Sequence, residues 1–237
     1  ALFRPATGQR GLERASGVHP PEAIDSVRAV LSLLKIFAFI PFFWMLFDQK
    51  GSAWVLQAMR MDLGIGPFVF EASQLQFVNP ALVLILIPLC TGVIYPACAR
   101  AGYALTPLRR MTIGMFLAGS SFVMVALIER QLDQGARLSV LWQLGPYVAL
   151  TLGEVLVSTT GLEFAYTQAP REMKGVIQSF WLLAVSAANL VVAVIAKVNV
   201  FTGAQSFLFY AALVILAGVG LGLVSRRYVP RQYFREA

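Results

Sequence analysis

The sequence is poor in charge and in the residues that usually do chemistry. Charged residues make up 13% of its 237 positions, with two cysteines and one histidine. A soluble domain carries about 25% charged residues, so this chain could not cover a water-exposed surface. Cys90 and Cys98 share one apolar segment, which predicts buried thiols rather than a disulfide or metal framework. His19 lies in a polar stretch, which argues against a serine–histidine intramembrane protease.

Apolar residues reach 58%, and the mean hydropathy is +0.71. They are concentrated in six runs of about 20 residues, each long enough to cross a bilayer as a helix of about 30 Å. The runs are 27–47, 77–99, 107–128, 141–166, 175–198 and 204–225. We predict an all-α membrane protein with six transmembrane helices over residues 27–225. Residues 1–26 are expected to form an extramembrane linker, and residues 226–237 a basic cytoplasmic tail.

The positive charge is distributed unevenly between the two sides of this arrangement. Of the 19 basic residues, 14 fall on the side of the linker. The other five are Lys50, Arg60, Arg130, Arg137 and Lys197. The positive-inside rule therefore places both termini in the cytoplasm, in agreement with an even number of crossings. The net charge of +7 is explained by membrane topology and does not indicate nucleic acid as a partner.

Glu154 lies in the middle of the fourth apolar run. An acid at this depth costs about 2.5–3.5 kcal/mol on insertion scales, so we expect it to face protein or water. Ser158 is four residues further on and shares its helix face. Such a carboxylate can alternate between holding a proton and pairing with an amine, or it can simply pair with a neighbouring helix. Glu163 lies on the opposite face and is predicted to be a structural acid.

Three further sites each allow two interpretations. Asp48 ends an aromatic run and follows Trp44 by four residues, so it is either a functional acid beside an aromatic wall or an acid at the membrane surface. Asn79 precedes a proline and either caps the second run or binds a ligand. Trp181 is either a core aromatic or a ligand contact. Tyr147 lies near a segment end, and this position predicts an aromatic residue at the membrane interface.

Gly218 and Gly222 form a Gly-x-x-x-Gly pattern in the sixth run. Small residues at this spacing favour close packing of two membrane helices.

Residues 43–58 read FWMLFDQKGSAWVLQA, and residues 153–170 begin GEVLVS. These two stretches resemble the seventh and tenth helices of the proton-coupled oligopeptide transporters. Shorter matches to the eighth, ninth and eleventh helices begin with VNP at 78, TPLRRM at 106 and FWLL at 180. The resemblance implies a major-facilitator fold of two six-helix bundles, with this chain as the C-terminal bundle. The Glu-x-x-Glu-Arg motif of the N-terminal bundle does not occur in this sequence.

The resemblance also implies a function and a set of site residues. We expect symport of di/tripeptides with protons across the bacterial-type inner membrane, with protons as the coupling ion, no cofactor and an N-terminal bundle as partner. Glu154 would engage the peptide amino group and a lysine of the other bundle, and Asp48 would belong to a gate. The residues expected to bind substrate are Trp44, Asn79, Glu154, Ser158 and Trp181. The alternative is an orphan six-helix membrane module with a structural or partner-binding role.

Overall fold

The computed structural model describes residues 18–198 and 201–228, and this part of the chain is mainly helical. The α-helices are α1 Pro21–Phe37, α2 Ile40–Phe47, α3 Ala53–Ala58, α4 Val78–Leu89, α5 Tyr95–Arg100, α6 Pro107–Asp133, α7 Leu144–Glu154, α8 Thr160–Gln168, α9 Lys174–Val198 and α10 Gly203–Arg227. Short 3₁₀ turns cover Asp48–Gly51, Ala72–Phe77, Val140–Gln143 and Arg171–Met173, and π turns cover Cys90–Ile94 and Val155–Thr159. Strands β1 Gly64–Ile65 and β2 Phe68–Val69 form an antiparallel hairpin.

Five helical stretches of the described chain are long and apolar enough to cross a membrane. They are Ala72–Arg100, Pro107–Asp133, Val140–Gln168, Lys174–Val198 and Gly203–Arg227. Pro21–Phe37 and Ile40–Ala58, which meet at 40°, form a sixth crossing when the pair is taken as one broken span. The protein is therefore a multi-pass helical membrane protein, as predicted. We call the side on which α1 begins the first side, and the side of the β-hairpin the second side.

Two helix boundaries differ from the predicted ones by five residues or more. α1 begins at Pro21, six residues before the predicted start, with proline at a position that suits a helix N-terminus. α6 continues to Asp133, five residues past the predicted end at 128. The extra turn is stabilised because Glu129 and Asp133 both pair with Arg60. Of the predicted linker and tail, residues 1–17 and 229–237 lie outside the described part.

Helix α6 packs closely against α7 and α10. A Cβ atom on Gly153 would lie 2.8 Å from the carbonyl oxygen of Gly114, so the two backbones approach where neither residue has a side chain. On the α10 side, a Cβ on Gly218 would lie 3.1 Å from that of Met115. The close packing predicted from the Gly-x-x-x-Gly pattern is confirmed.

Tyr147 was predicted to be interfacial, and this is wrong. Its side chain is 1% exposed and its ring packs against that of Trp54, with centroids 5.0 Å apart. The 3₁₀ turn Val140–Gln143 forms the start of this span, so Tyr147 lies inside the bundle rather than at its end.

Candidate functional site

The side chain of Glu154 is fixed by a contact between two membrane spans. It is the last residue of α7, is half-buried, and is followed directly by a π turn. Its Oε2 accepts a hydrogen bond of 2.8 Å from Nδ2 of Asn79, which also donates to Oγ1 of Thr151 at 3.0 Å. Asn79 therefore does not cap α4, because its side chain crosses to α7.

Asp48 lies in the 3₁₀ turn between α2 and α3, inside the helical stretch Ile40–Ala58 of the first span. Its side chain is exposed, and Oδ2 accepts a hydrogen bond of 2.8 Å from Nδ2 of Asn189 on α9. The bond links the broken span to a neighbouring helix. Asp48 therefore lies within a membrane span and has a specific partner there.

Lys50 belongs to this site, although it was predicted to be one of the five basic residues on the side opposite the linker. It lies inside the stretch Ile40–Ala58, and its ammonium interacts electrostatically with the carboxylates of Glu154 and Asp48. Its Nζ also lies 3.1 Å from the centroid of the Phe47 ring. A cation over an aromatic face is stabilised by the ring quadrupole. Lys50 thus places a positive charge within electrostatic range of two acids, Glu154 and Asp48.

Trp44 and Ser158 are both half-buried. The Trp44 ring makes edge contacts with Phe43 and Phe47, with centroids 5.7 Å and 5.2 Å away. Its Nε1 is buried and has no hydrogen-bond partner within the described chain. Ser158 lies in the π turn that follows Glu154, and single π turns in α-helices occur frequently at functional sites.

Trp181 lies in the core of the helix bundle. It is 4% exposed, and its ring makes an edge contact with Phe37 at 5.6 Å between centroids. A Cβ on Gly161 would lie 2.9 Å from the indole, so α8 and α9 meet at this point. The geometry corresponds to the core interpretation of this tryptophan and leaves little of its surface for a ligand.

The assembled site combines two acids, one cation and two amides on four spans. Lys50, Thr151 and Asn189 were not predicted from the sequence as site residues. Thr151 precedes Glu154 by three residues on the same helix, a spacing that brings side chains together and could have indicated it. Asn189 is an amide within an apolar run, which is also a recognisable signal. A cluster of this kind can bind a zwitterion, because the ligand's ammonium can pair with the carboxylates of the site and the ligand's carboxylate with the ammonium of Lys50.

Comparison with known proteins identifies the family. A family profile described as "PTR2: POT family" matches residues 15–205. The chain belongs to this family. Curated relatives include solute carrier family 15 member 2 of Homo sapiens, 40% identical over 128 residues, and peptide transporter 3 of Caenorhabditis elegans, 40% identical over 123 residues. These alignments cover 54% and 52% of this chain but only 18% and 17% of the relatives.

Solved structures of the POT family share the fold over nearly the whole chain. An auto-inhibited POT family peptide transporter is 44% identical, with a TM-score of 0.88 over 96% of this chain and 46% of that one. The POT family transporter PepTSo is also 44% identical, with a TM-score of 0.84 over 92% and 45%. The chain thus spans about half the length of these transporters. The predicted fold, a six-helix bundle that forms half of a major-facilitator transporter, is confirmed.

Proposed function

We propose that this chain is the C-terminal bundle of a proton-coupled transporter of di/tripeptides in the inner membrane, with both termini in the cytoplasm. Family membership and the 44% identity to a POT family peptide transporter structure support peptide transport. The N-terminal bundle is the partner, and the peptide binds between the bundles near the middle of the bilayer, where transporters of this type place their substrates.

The observation that carries this proposal is the position of Glu154. Its carboxylate lies deep in an apolar span, held by Asn79 and facing the charge of Lys50. An acid in this environment is costly unless a cation or proton accompanies it. The ammonium of a peptide can take the place of Lys50 as that cation. Glu154 then binds the amino end of the peptide, and Asn79 orients both groups.

The remaining site residues surround this point. Trp44 and Ser158, both half-buried, contact peptide side chains. Trp181 contributes indirectly, since its contact with Gly161 fixes α8 behind the pocket. Asp48 is exposed in the 3₁₀ turn between α2 and α3 and pairs with a basic residue of the N-terminal bundle in a gate. Protons are the coupling ion, and no cofactor takes part.

The test compares free and N-acetylated dipeptides in the full-length transporter that contains this bundle. A charge-assisted hydrogen bond contributes about 1.5–3 kcal/mol, so Glu154→Gln should weaken binding of the free peptide by about tenfold to a hundredfold. The variant keeps the shape of the side chain and removes its charge. The preference for the free over the acetylated peptide should therefore shrink.

Glu163→Gln is the matched control. Glu163 is nine residues further along the same span and is exposed, so its loss of charge should leave peptide affinity unchanged. If Glu154→Gln preferred the free amine as strongly as the parent does, the proposed role of Glu154 would be incorrect.

A further inference from the structure

A buried polar network lies near the second side, away from the site around Glu154. The side-chain amide of Gln57, on α3, donates to Oε2 of Glu129 at 2.7 Å and to the carbonyl oxygen of Val125 at 3.1 Å. Nε2 of Gln143 donates to Oε1 of Gln57 at 3.0 Å and to the carbonyl oxygen of Trp54 at 3.1 Å. The network joins α3, α6 and the start of the fourth span.

Arg60 closes this network towards water. Its guanidinium pairs with the buried carboxylate of Glu129. It also pairs with the exposed carboxylate of Asp133, with 2.7 Å between Nη2 and Oδ1. The hydrogen bond to Asp133 raises the pKa of Arg60 above its ordinary value, so the guanidinium stays charged. The end of α3 is thereby held against α6.

Three buried polar atoms beside the network have no hydrogen-bond partner within the described chain. They are Nε1 of Trp54, Oε1 of Gln143 and the phenolic oxygen of Tyr147. All three residues are at most 1% exposed. The Trp54 and Tyr147 rings are in contact at 5.0 Å, Gln143 donates to the backbone of Trp54, and Tyr147 follows Gln143 by one helical turn. Each of the three residues therefore neighbours the other two within the core.

The chemistry of these atoms is complementary. The indole nitrogen only donates, the amide oxygen only accepts, and a phenol can do both. Buried polar groups that lack partners are destabilising, and buried waters typically satisfy such groups with about three hydrogen bonds each. One water can accept from Trp54, donate to Gln143 and use its remaining capacity on Tyr147.

We infer that Trp54, Gln143 and Tyr147 hold a buried water molecule that fastens α3 to α7. Thr151, one turn beyond Tyr147 on α7, accepts from Asn79, so the water lies between the polar network and the site around Glu154. The bound water completes the attachment of α3, so that the outer third of the broken span stays fixed to α6 and α7. This inference does not depend on the proposed transport function.

Tyr147→Phe tests the water site through the sign of its effect on stability. If the phenol binds the water, its removal leaves the water short of a partner and should lower the Tm of the detergent-purified protein by roughly 2–4 °C. If the hydroxyl is truly unpaired, its removal takes away a buried polar group without loss and should leave Tm unchanged or raise it. The latter result would overturn the inference.

Tyr210→Phe is the matched control. Tyr210 is 4% exposed, and its hydroxyl makes no hydrogen bond within the described chain. Its ring contacts Phe209, and it makes no ring contact or hydrogen bond with Trp54 or Gln143 in the described chain. The control should leave Tm unchanged or raise it.

X-ray footprinting of the unmodified protein in H₂¹⁸O gives a second, independent measurement. Radicals formed from a bound water should label Tyr147 with ¹⁸O, although its side chain is only 1% exposed. Labelling of Tyr147 no greater than that of Tyr210 would also contradict the water site.

Discussion

Nδ2 of Asn79 lies 2.8 Å from Oε2 of Glu154, and this bond joins the first turn of α4 to the last residue of α7. The same nitrogen donates to Thr151, so one amide orients the acid and is itself held in place. The direction of the Glu154 carboxylate therefore depends on a side chain 75 positions away in the sequence.

Removing the Asn79 donor should weaken peptide binding more than removing its second acceptor. Asn79→Leu deletes the bond to the carboxylate, which as a charge-assisted bond contributes about 1.5–3 kcal/mol, so affinity should fall by about tenfold or more. Thr151→Val keeps the shape and removes only a neutral partner, and its effect should stay below tenfold. Equal losses in peptide-binding assays of the two variants would show that the bond to Glu154 has no special importance.

Asp48→Asn should impair proton-driven uptake by the full-length transporter. The substitution removes the charge that Lys50 and Asn189 face, while the shape of the side chain is kept. Uptake is measured between roughly pH 5.5 and 7.5, where histidines and perturbed carboxylates titrate. Asp62→Asn, at an exposed site in the loop on the second side, is the control and should transport normally. Unchanged uptake by Asp48→Asn would exclude it from coupling.

Both termini are expected in the cytoplasm, and cysteine labelling measures this. In a background with Cys90→Ala and Cys98→Ala, an impermeant maleimide added outside should label Gln134→Cys, in the exposed loop after α6. Ala104→Cys, in the exposed loop before α6, should react only after the membrane is permeabilised. The opposite pattern would reverse the orientation.

Gly153→Ala should destabilise the bundle, whereas Gly145→Ala on the same helix should not. A Cβ on Gly153 would lie 2.8 Å from a backbone oxygen, which cannot move alone, and overpacking of this kind costs about 1–3 kcal/mol. At Gly145 the nearest atom is the Met124 sulfur at 4.0 Å, so alanine adds helix propensity without a clash. Thermal unfolding measures the Tm of both variants. A higher Tm for Gly153→Ala than for Gly145→Ala would contradict the packing argument.

The sequence predicts the spans well because hydropathy over about 20 residues reflects a requirement of the bilayer itself. It fails where a charge is satisfied by a partner distant in sequence. Lys50 was assigned to a loop because Glu154, the acid on α7 that explains its position, lies about a hundred residues further along the sequence. The third run was predicted to end at 128, before Glu129, for the same reason, since the partners of Glu129 are Gln57 and Arg60.

The candidate site shows the same division. Glu154 is evident from the sequence because a lone acid in an apolar run is expensive. The contact between Asn79 and Glu154 is not evident from the sequence, because it depends on which faces of α4 and α7 meet. The π turn at Val155–Thr159 also has no signal in composition, since it differs from an α-helix in hydrogen-bond pairing rather than in residue type.

That π turn also determines where the fourth span can tolerate a change in length. Each residue of an α-helix adds about 100° of rotation, so a deletion within α7 or α8 would turn everything beyond it to a different face. A π turn accommodates a surplus residue locally, in one wide loop of the backbone. Losing one residue from Val155–Thr159 would convert the turn to ordinary α-helix and keep Gly161 aligned with Trp181. Evolutionary insertions and deletions in this span should therefore be tolerated at the turn beside Glu154.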